Sequence, residues 1–496
     1  MGLTVAPVNA WFLAWFALAP LWVLIVQASE KSGKTKPKFL LLPFLWAIAY
    51  HGLALFWITG IHPMDWLGVP WLASLSIAAF CLGFISAWGG LLVCVWANLW
   101  VRLHQSQPAL RVLLGVALWC GLEHLWSLGS LWWTSLSYTQ SPHNLVILHL
   151  GQISGPSAVT AVIVAVNGLI AEAWLKWREK ARVKWSAIAL SLFIISHFIG
   201  FSLYIRPLNQ TADTALKVGI IQGNIPNPIK LKPEGFRRAL QNYTQGYLTL
   251  ANQNIAAVLT PEGALPIYSS NLNQTPLLAA IQEKGIITWL GAYGEKGKSY
   301  TNSLFTITGN GEIVSRYDKF KLVPLGEFIP FEEILGKIIQ RLSPLDAHLA
   351  AGETNQTFDT PLGRAIVGIC YESAFAEIFR QQAAAGGEFI LSAANDAHYA
   401  ESMPAQHHAQ DIMRAIETDR WAVRATNTGY SAFVNPHGQT IWISGHNTYE
   451  THAETIYPQT TKTLYVRWGD WLLPLLLGLS GVGWVFVKLE RNKGVQ

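Results

Sequence analysis

One cysteine stands apart from the others. The chain has 496 residues and four cysteines; Cys81, Cys94 and Cys120 lie inside apolar runs, and Cys370 alone lies in a polar region. It ends the run "RAIVGIC" and precedes "YESAF". The first segment reads as a buried strand and the second as the start of a helix. A thiol on such a turn is exposed, faces backbone N–H donors and feels the helix dipole, which lowers its pKa. That is the setting of a nucleophile, although a lone thiol is also often a buried structural residue. Glu262, in "LTPEGALP", follows another apolar run. It sits at a strand end, where α/β domains place site residues. A carboxylate there can take a thiol proton, or can be a solvated turn residue. Lys319, in "SRYDKFKLVPLGEFIP", can stabilise a developing oxyanion, or can share a solvated basic face with Arg316 and Lys321. Glu327 in the same stretch is a second carboxylate candidate. His407 and His408 invite a metal reading. Adjacent helical residues point about 100° apart and form no two-ligand face, so no metal is expected. No glycine-rich phosphate loop of Walker type occurs, and no other cofactor is expected.

These residues need elements to hold them. Hydrophobic residues make up 51% of the chain and charged residues 13%, against about 25% charged in a soluble domain. Residues 1–205 hold long uncharged runs with many tryptophans, whereas 213–465 have ordinary charge density. This predicts a transmembrane bundle of about six spans over 1–206, a catalytic domain over 213–465 and a C-terminal transmembrane helix over 469–488. The candidate spans are 8–27, 39–60, 69–100, 112–133, 144–174, 185–205 and 471–487, the third and fifth long enough to include interfacial or re-entrant parts. His51 and Glu123 fall within such runs and are functional suspects by default. Glu123 is read here as facing a polar interior near a helix end. The net charge of +5 is not arranged as a basic groove, which argues against nucleic acid.

The connections alternate in charge. Lys31, Lys34, Lys36 and Lys38 follow the first span, Arg102 and Arg111 the third, and Lys176, Arg178, Lys180, Arg182 and Lys184 the fifth. Lys488, Arg491 and Lys493 follow the last, while 61–68 and 134–143 have no Lys or Arg. Basic connections stay in the cytoplasm, so the polar domain is expected outside. There Cys370 has no second cysteine in its domain to pair with.

Within that domain, runs at 215–224, 255–263, 285–294, 302–320, 363–373 and 388–396 read as strands. Segments 234–253, 275–284, 373–386 and 404–420 read as helices. "TGNGE" (308–312) signals a hairpin, and 432–443 holds a similar turn. Alternation of this kind predicts an α/β domain with a layered sheet.

"TPEGALP", "YDKFKLVPLGEFIPF", "VGICYES" and "SAANDAHYA" together resemble the nitrilase (carbon–nitrogen hydrolase) superfamily. "IIQGNIP", "VPLGEFIPF" and the flanking helices resemble its membrane branch, the apolipoprotein N-acyltransferases. The resemblance covers nearly the whole chain. It implies an αββα sandwich on a polytopic helical membrane bundle, in a bacterial inner membrane with the catalytic domain periplasmic. It implies Glu262 as general base, Lys319 as oxyanion stabiliser and Cys370 as nucleophile. Glu327 is implied as a supporting carboxylate and Asn302 as a site-lining residue. Tyr371 and Glu372 follow the nucleophile as in the family. The implied partners are a phospholipid acyl donor and a diacylglyceryl apolipoprotein acceptor, with the chain a monomer. Three departures stand out. The family usually has eight spans, and this chain begins at what looks like the second. His398, Tyr399 and Ala400 replace the usual Trp-Phe-Gly, and Leu231 replaces a frequent Trp; both places are expected to border the acyl pocket or a mobile loop. Two other activities fit the same residues: a membrane amidase that gives its acyl group to water, and a non-catalytic scaffold with a dead site.

Overall fold

The computed structural model describes residues 1–32, 40–103, 107–324, 326–328 and 349–493. Lys34, Lys36 and Lys38, and residues 325 and 329–331 of "LGEFIPF", lie outside the described residues. The chain divides into two compact units: Met1–Ile58 with Ile77–Arg206 and Trp468–Gln496, and Thr59–Ser76 with Pro207–Arg467.

The first unit is helical. Among the described residues six helices are long and apolar enough to cross a membrane: Trp11–Ser29, Trp71–Leu103, Pro108–Leu128, Pro156–Leu175, Ala181–Tyr204 and Leu472–Glu490. Two of the candidate runs are not single long helices. The candidate at 39–60 forms only the 14-residue helix Leu41–Ala54, followed by a 3-10 turn at Phe56–Ile61. Gly60 and Pro63 are poor helix formers and fall where that helix would have to continue. The run 144–174 breaks at Gly155, which adopts φ 65°, and Pro156 then opens the helix Pro156–Leu175. The long third candidate is one continuous helix.

Several polar groups inside this unit pair with one another. Glu123 accepts bonds from Trp119 Nε1 (3.0 Å), Ser135 Oγ (2.9 Å), Leu136 N (2.8 Å) and Thr160 Oγ1 (3.0 Å). His51 Nδ1 pairs with Thr134 Oγ1 at 2.9 Å. Glu123 thus has the polar interior expected of it. Arg111, expected in a connecting loop, is instead buried in the first turns of Pro108–Leu128, paired with the buried Glu172. An isolated charge there would be costly, and the ion pair removes that cost. The unit also carries a groove of about 780 Å³ lined by Trp15, Phe16, Trp174, Trp177, Arg182 and Phe193, among others. None of the candidate site residues borders it.

The second unit is a two-sheet sandwich. Its strands are β1 Leu216–Gln222, β2 Ala257–Leu259, β3 Ile287–Lys296, β4 Ser299–Ile307, β5 Ile313–Asp318, β6 Phe358–Thr360, β7 Gly363–Ile369, β8 Phe389–Ala394, β9 Ala422–Thr426, β10 Ala432–Val434, β11 Thr440–Ile443 and β12 Glu450–Ile456. One sheet runs β12-β1-β2-β3-β4-β5 and the other β11-β10-β9-β8-β7-β6. Each has a parallel centre, β1-β2-β3 or β7-β8-β9, with antiparallel flanks. Both expected hairpins form, as β4-β5 and β10-β11.

Strand alternation sorts the apolar residues onto two faces. Val218, Ile220, Leu259, Trp289 and Leu304 of the first sheet meet Phe358, Val367, Ile369, Leu391, Val423 and Phe433 of the second in one buried core. On the outer face of the first sheet, Ile221, Leu290 and Phe305 pack against the helices Pro233–Ala251 and Pro276–Lys284 through Tyr243, Tyr247, Leu250, Leu278 and Ile281. Emptying the fully buried Trp289 position to alanine would cost roughly 3–5 kcal/mol. The helices Ala376–Ala384 and Ser402–Thr418 accompany the second sheet.

Candidate active site

Three strand ends supply the candidate residues. β2 ends just before Glu262 and β5 just before Lys319, both in the first sheet. β7 ends just before Cys370, in the second. Face-to-face packing of the sheets brings the three side chains into one cluster. Gly291 makes room for the Glu262 loop: a Cβ there would run into the Pro261 carbonyl. The loop is further held by Leu265 N donating to Gly291 O (3.2 Å) and Gly291 N donating to Thr260 Oγ1 (3.0 Å).

The Lys319 ammonium is 1% exposed and bridges two carboxylates. It donates to Glu262 Oε1 at 2.8 Å and to Glu327 Oε1 at 2.7 Å. Asn302 Nδ2 donates to Glu262 Oε1 at 2.6 Å, and its Oδ1 is buried without a partner. A buried unpaired acceptor costs about 1–3 kcal/mol and marks a place for a donor. Val323 N donates to Glu327 Oε2 at 2.8 Å. The Cys370 side chain is in hydrogen-bond contact with Glu262. Glu262, Lys319, Cys370, Glu327 and Asn302 therefore gather in one place.

Electrostatics set their resting states. Burial alone would raise the Glu262 carboxyl, but Lys319 and then Lys230 hold it below the usual carboxylate range. Burial would lower the Lys319 ammonium, and Glu262 and Glu327 together hold it well above its ordinary value. Burial raises Glu327, against the pull of Lys319. For Cys370 the expected lowering is reversed: burial first, then Glu262, push the thiol well above its ordinary value, with Lys319 opposing. The helix expected to follow the thiol is only a 3-10 turn, Cys370–Ala374, and the α-helix begins at Ala376. The thiol therefore rests protonated beside an ionised carboxylate.

The turn itself is strained and braced. Cys370 adopts φ 52°, a left-handed conformation unfavourable for a residue with a Cβ. Glu372 closes the turn by accepting from Ile369 N at 2.7 Å, and it also accepts from Phe320 N at 2.7 Å and Tyr317 Oη at 3.2 Å. It thereby ties the Lys319 loop to the Cys370 turn. Tyr371 packs edge-on to Phe375 at 5.1 Å.

Sequence reasoning missed a buried network beneath Cys370. His407 Nε2 donates to the Cys370 carbonyl at 2.8 Å, and Nδ1 pairs with Asp396 at 2.9 Å. Arg424 bridges Asp396 (3.0 Å) and Asp411 (2.5 Å), and Asp411 accepts from Ser373 Oγ (2.5 Å) and Ser392 Oγ (2.7 Å). Ligand atoms of Cys370, Asp396 and His407 lie within 4.8 Å of one another, a spacing able to hold a metal ion. Both His407 ring nitrogens, however, already face these partners. His408 sits apart, with Nε2 2.9 Å from Thr440 Oγ1. The polar-rich sequence of the helix Ser402–Thr418 carries no signal that nearly all of it is buried.

The departing residues also find places. His398 interacts electrostatically with Lys230, Glu262, Asp396 and Lys319, and burial lowers its imidazole to about 4. It therefore borders the cluster as a neutral group. Its ring lies 5.8 Å from that of Trp66, and Gly60 abuts Ala400. The segment Thr59–Ser76, drawn from between two apolar helices, thus backs the 398–400 turn. Leu231 is exposed.

The family model for carbon–nitrogen hydrolases matches residues 217–464, and that for the apolipoprotein N-acyltransferase N-terminal domain matches 1–169. An apolipoprotein N-acyltransferase from Nostoc sp. is 65% identical over 99% of this chain and 98% of its own length. One from Synechocystis sp. is 48% identical over 98% of each. Among solved structures, an amidase from Nesterenkonia sp. aligns with 49% of this chain and 91% of its own, at 18% identity and a TM-score of 0.38. With both halves matched, and near-complete relatives at this identity, the chain belongs to the apolipoprotein N-acyltransferase family.

Proposed function

We propose that this membrane protein transfers an acyl chain from the sn-1 ester of a phospholipid, such as phosphatidylethanolamine, to the α-amine of an N-terminal diacylglyceryl-cysteine on an apolipoprotein. The observation that carries the reading is the Lys319 ammonium shared by Glu262 and Glu327 beside the Cys370 thiol. Glu262 takes the thiol proton, and the Cys370 sulfur attacks the ester carbonyl. Lys319 and a backbone N–H near Tyr371 hold the oxyanion. Collapse expels the glycerol oxygen, which takes the proton back from Glu262 and leaves as lysophospholipid. The acceptor amine then attacks the thioester and passes its proton to Glu262. Asn302 Oδ1, unpaired and buried, is placed to accept a hydrogen from that amine. The thiolate leaves and is reprotonated.

All of these groups come from one chain, which supports action as a monomer. The basic connection at 176–184 supports a periplasmic site on a bacterial inner membrane. The test is labelled phospholipid: the wild type acquires a hydroxylamine-sensitive acyl label, and Cys370→Ala acquires none. A label that persists on Cys370→Ala would sink the reading. In the same protein, Lys298→Cys reports the side. It should react with an impermeant maleimide in intact spheroplasts, and protection until lysis would place the domain inside.

A further inference from the structure

Two ammonium groups stand near the Cys370 thiol, and they differ in their company. Lys319 pairs with both Glu262 and Glu327. Lys230 ends the short helix Asn227–Lys230. Its Nζ makes one long bond, 3.4 Å to the Glu262 carbonyl oxygen. Among the described residues it forms no ion pair with a carboxylate. The amine lies over Gly263, where an added Cβ would come 3.6 Å from it, so the residue after Glu262 contributes no side chain to cover it. It is partly buried, and it interacts electrostatically with Glu262, Cys370 and Lys319. Burial lowers this ammonium to about 8. A partly desolvated cation without a close counter-charge is unfavourable until an anion completes it.

We propose that Lys230 is the headgroup subsite of the acyl donor, its ammonium binding the phosphodiester anion of the phospholipid. This rests on the donor assignment above. The donor carries that anion across its glycerol backbone from the ester that Cys370 attacks. The acceptor brings an ammonium instead, which Lys230 repels. Lys230 would therefore select the first substrate and leave the second to other contacts.

The experiment compares phosphatidylethanolamine with diacylglycerol of the same chains as donors to the full-length protein, reading the acyl adduct on Cys370 by intact mass. The wild type should favour the phospholipid. In Lys230→Met the ratio of the two acylation rates should fall about tenfold or more, the usual weight of a charge-assisted contact. Lys230→Arg should keep most of the preference. A ratio unchanged in Lys230→Met overturns the proposal. So does an equal loss with both donors, which would make Lys230 a support for the other site residues. Inorganic phosphate, added as a free competitor, should leave the wild-type preference in place; its erasure would assign the site to free phosphate and overturn the headgroup assignment. A wild-type protein acylated by neither donor overturns the donor assignment itself, and the subsite with it.

Discussion

At the scale of single residues, the site is governed by which charge wins at Glu262. Burial favours its protonated form, yet Lys319 and Lys230 outweigh burial and keep it ionised. The carboxyl is thus depressed, and the proposed base is lost only as pH falls through that lowered value. Glu327, Cys370 and Asn302 complete its surroundings. The acid limb of single-turnover acylation should therefore lie below the ordinary glutamate value of about 4.3. It should move upward in Lys230→Met, where one of the two cations is gone. A wild-type limb at or above the ordinary value would contradict this balance. Much at this scale was legible in sequence, because Cys370 and Glu262 each follow an apolar strand-like run. The resting state of the thiol was not. A turn can be read locally, but the burial that raises Cys370 comes from a core assembled from both sheets.

At the scale of elements, the turn carrying Cys370 is held from below by the helix Ser402–Thr418. His407 fixes the Cys370 carbonyl, and Asp396, Arg424 and Asp411 lock His407 in turn. Every member of this set is almost fully buried. His407→Leu would leave Asp396 Oδ1 and the Cys370 carbonyl without the partner that His407 supplies, while Arg424 still holds Asp396. A buried polar group left unpaired costs about 1–3 kcal/mol, so His407→Leu should lower the melting temperature and the acylation rate together. Glutamine can still donate to the carbonyl, and His407→Gln should recover acylation further than stability. Equal acylation by the two folded variants would show that the carbonyl contact does not position the nucleophile. The network escaped sequence reading because its partners are far apart in the chain; periodicity places His407 on a helix and says nothing of Asp396. Arg111 escaped for the same reason, since its partner Glu172 lies on another helix.

At the scale of the whole molecule, a membrane bundle and a hydrolase-like sandwich share one chain. The division was legible from charge density and apolar runs alone. Composition makes 39–60 one apolar run and does not reveal that its α-helix ends at Ala54. The assignment of Thr59–Ser76 to the second unit could not be read either, since it depends on contacts with the 398–400 turn. Chemistry of this kind needs a thioester that survives long enough for a lipid-anchored amine to reach it. The most direct measurement is intact mass of the purified protein after exposure to phosphatidylethanolamine, before and after adding a diacylglyceryl-cysteine lipopeptide. The account predicts one acyl adduct on Cys370 that persists in buffer, disappears on adding the lipopeptide and reappears as an amide on its N-terminus. An adduct lost to water as free fatty acid at the same rate with or without the lipopeptide would contradict it.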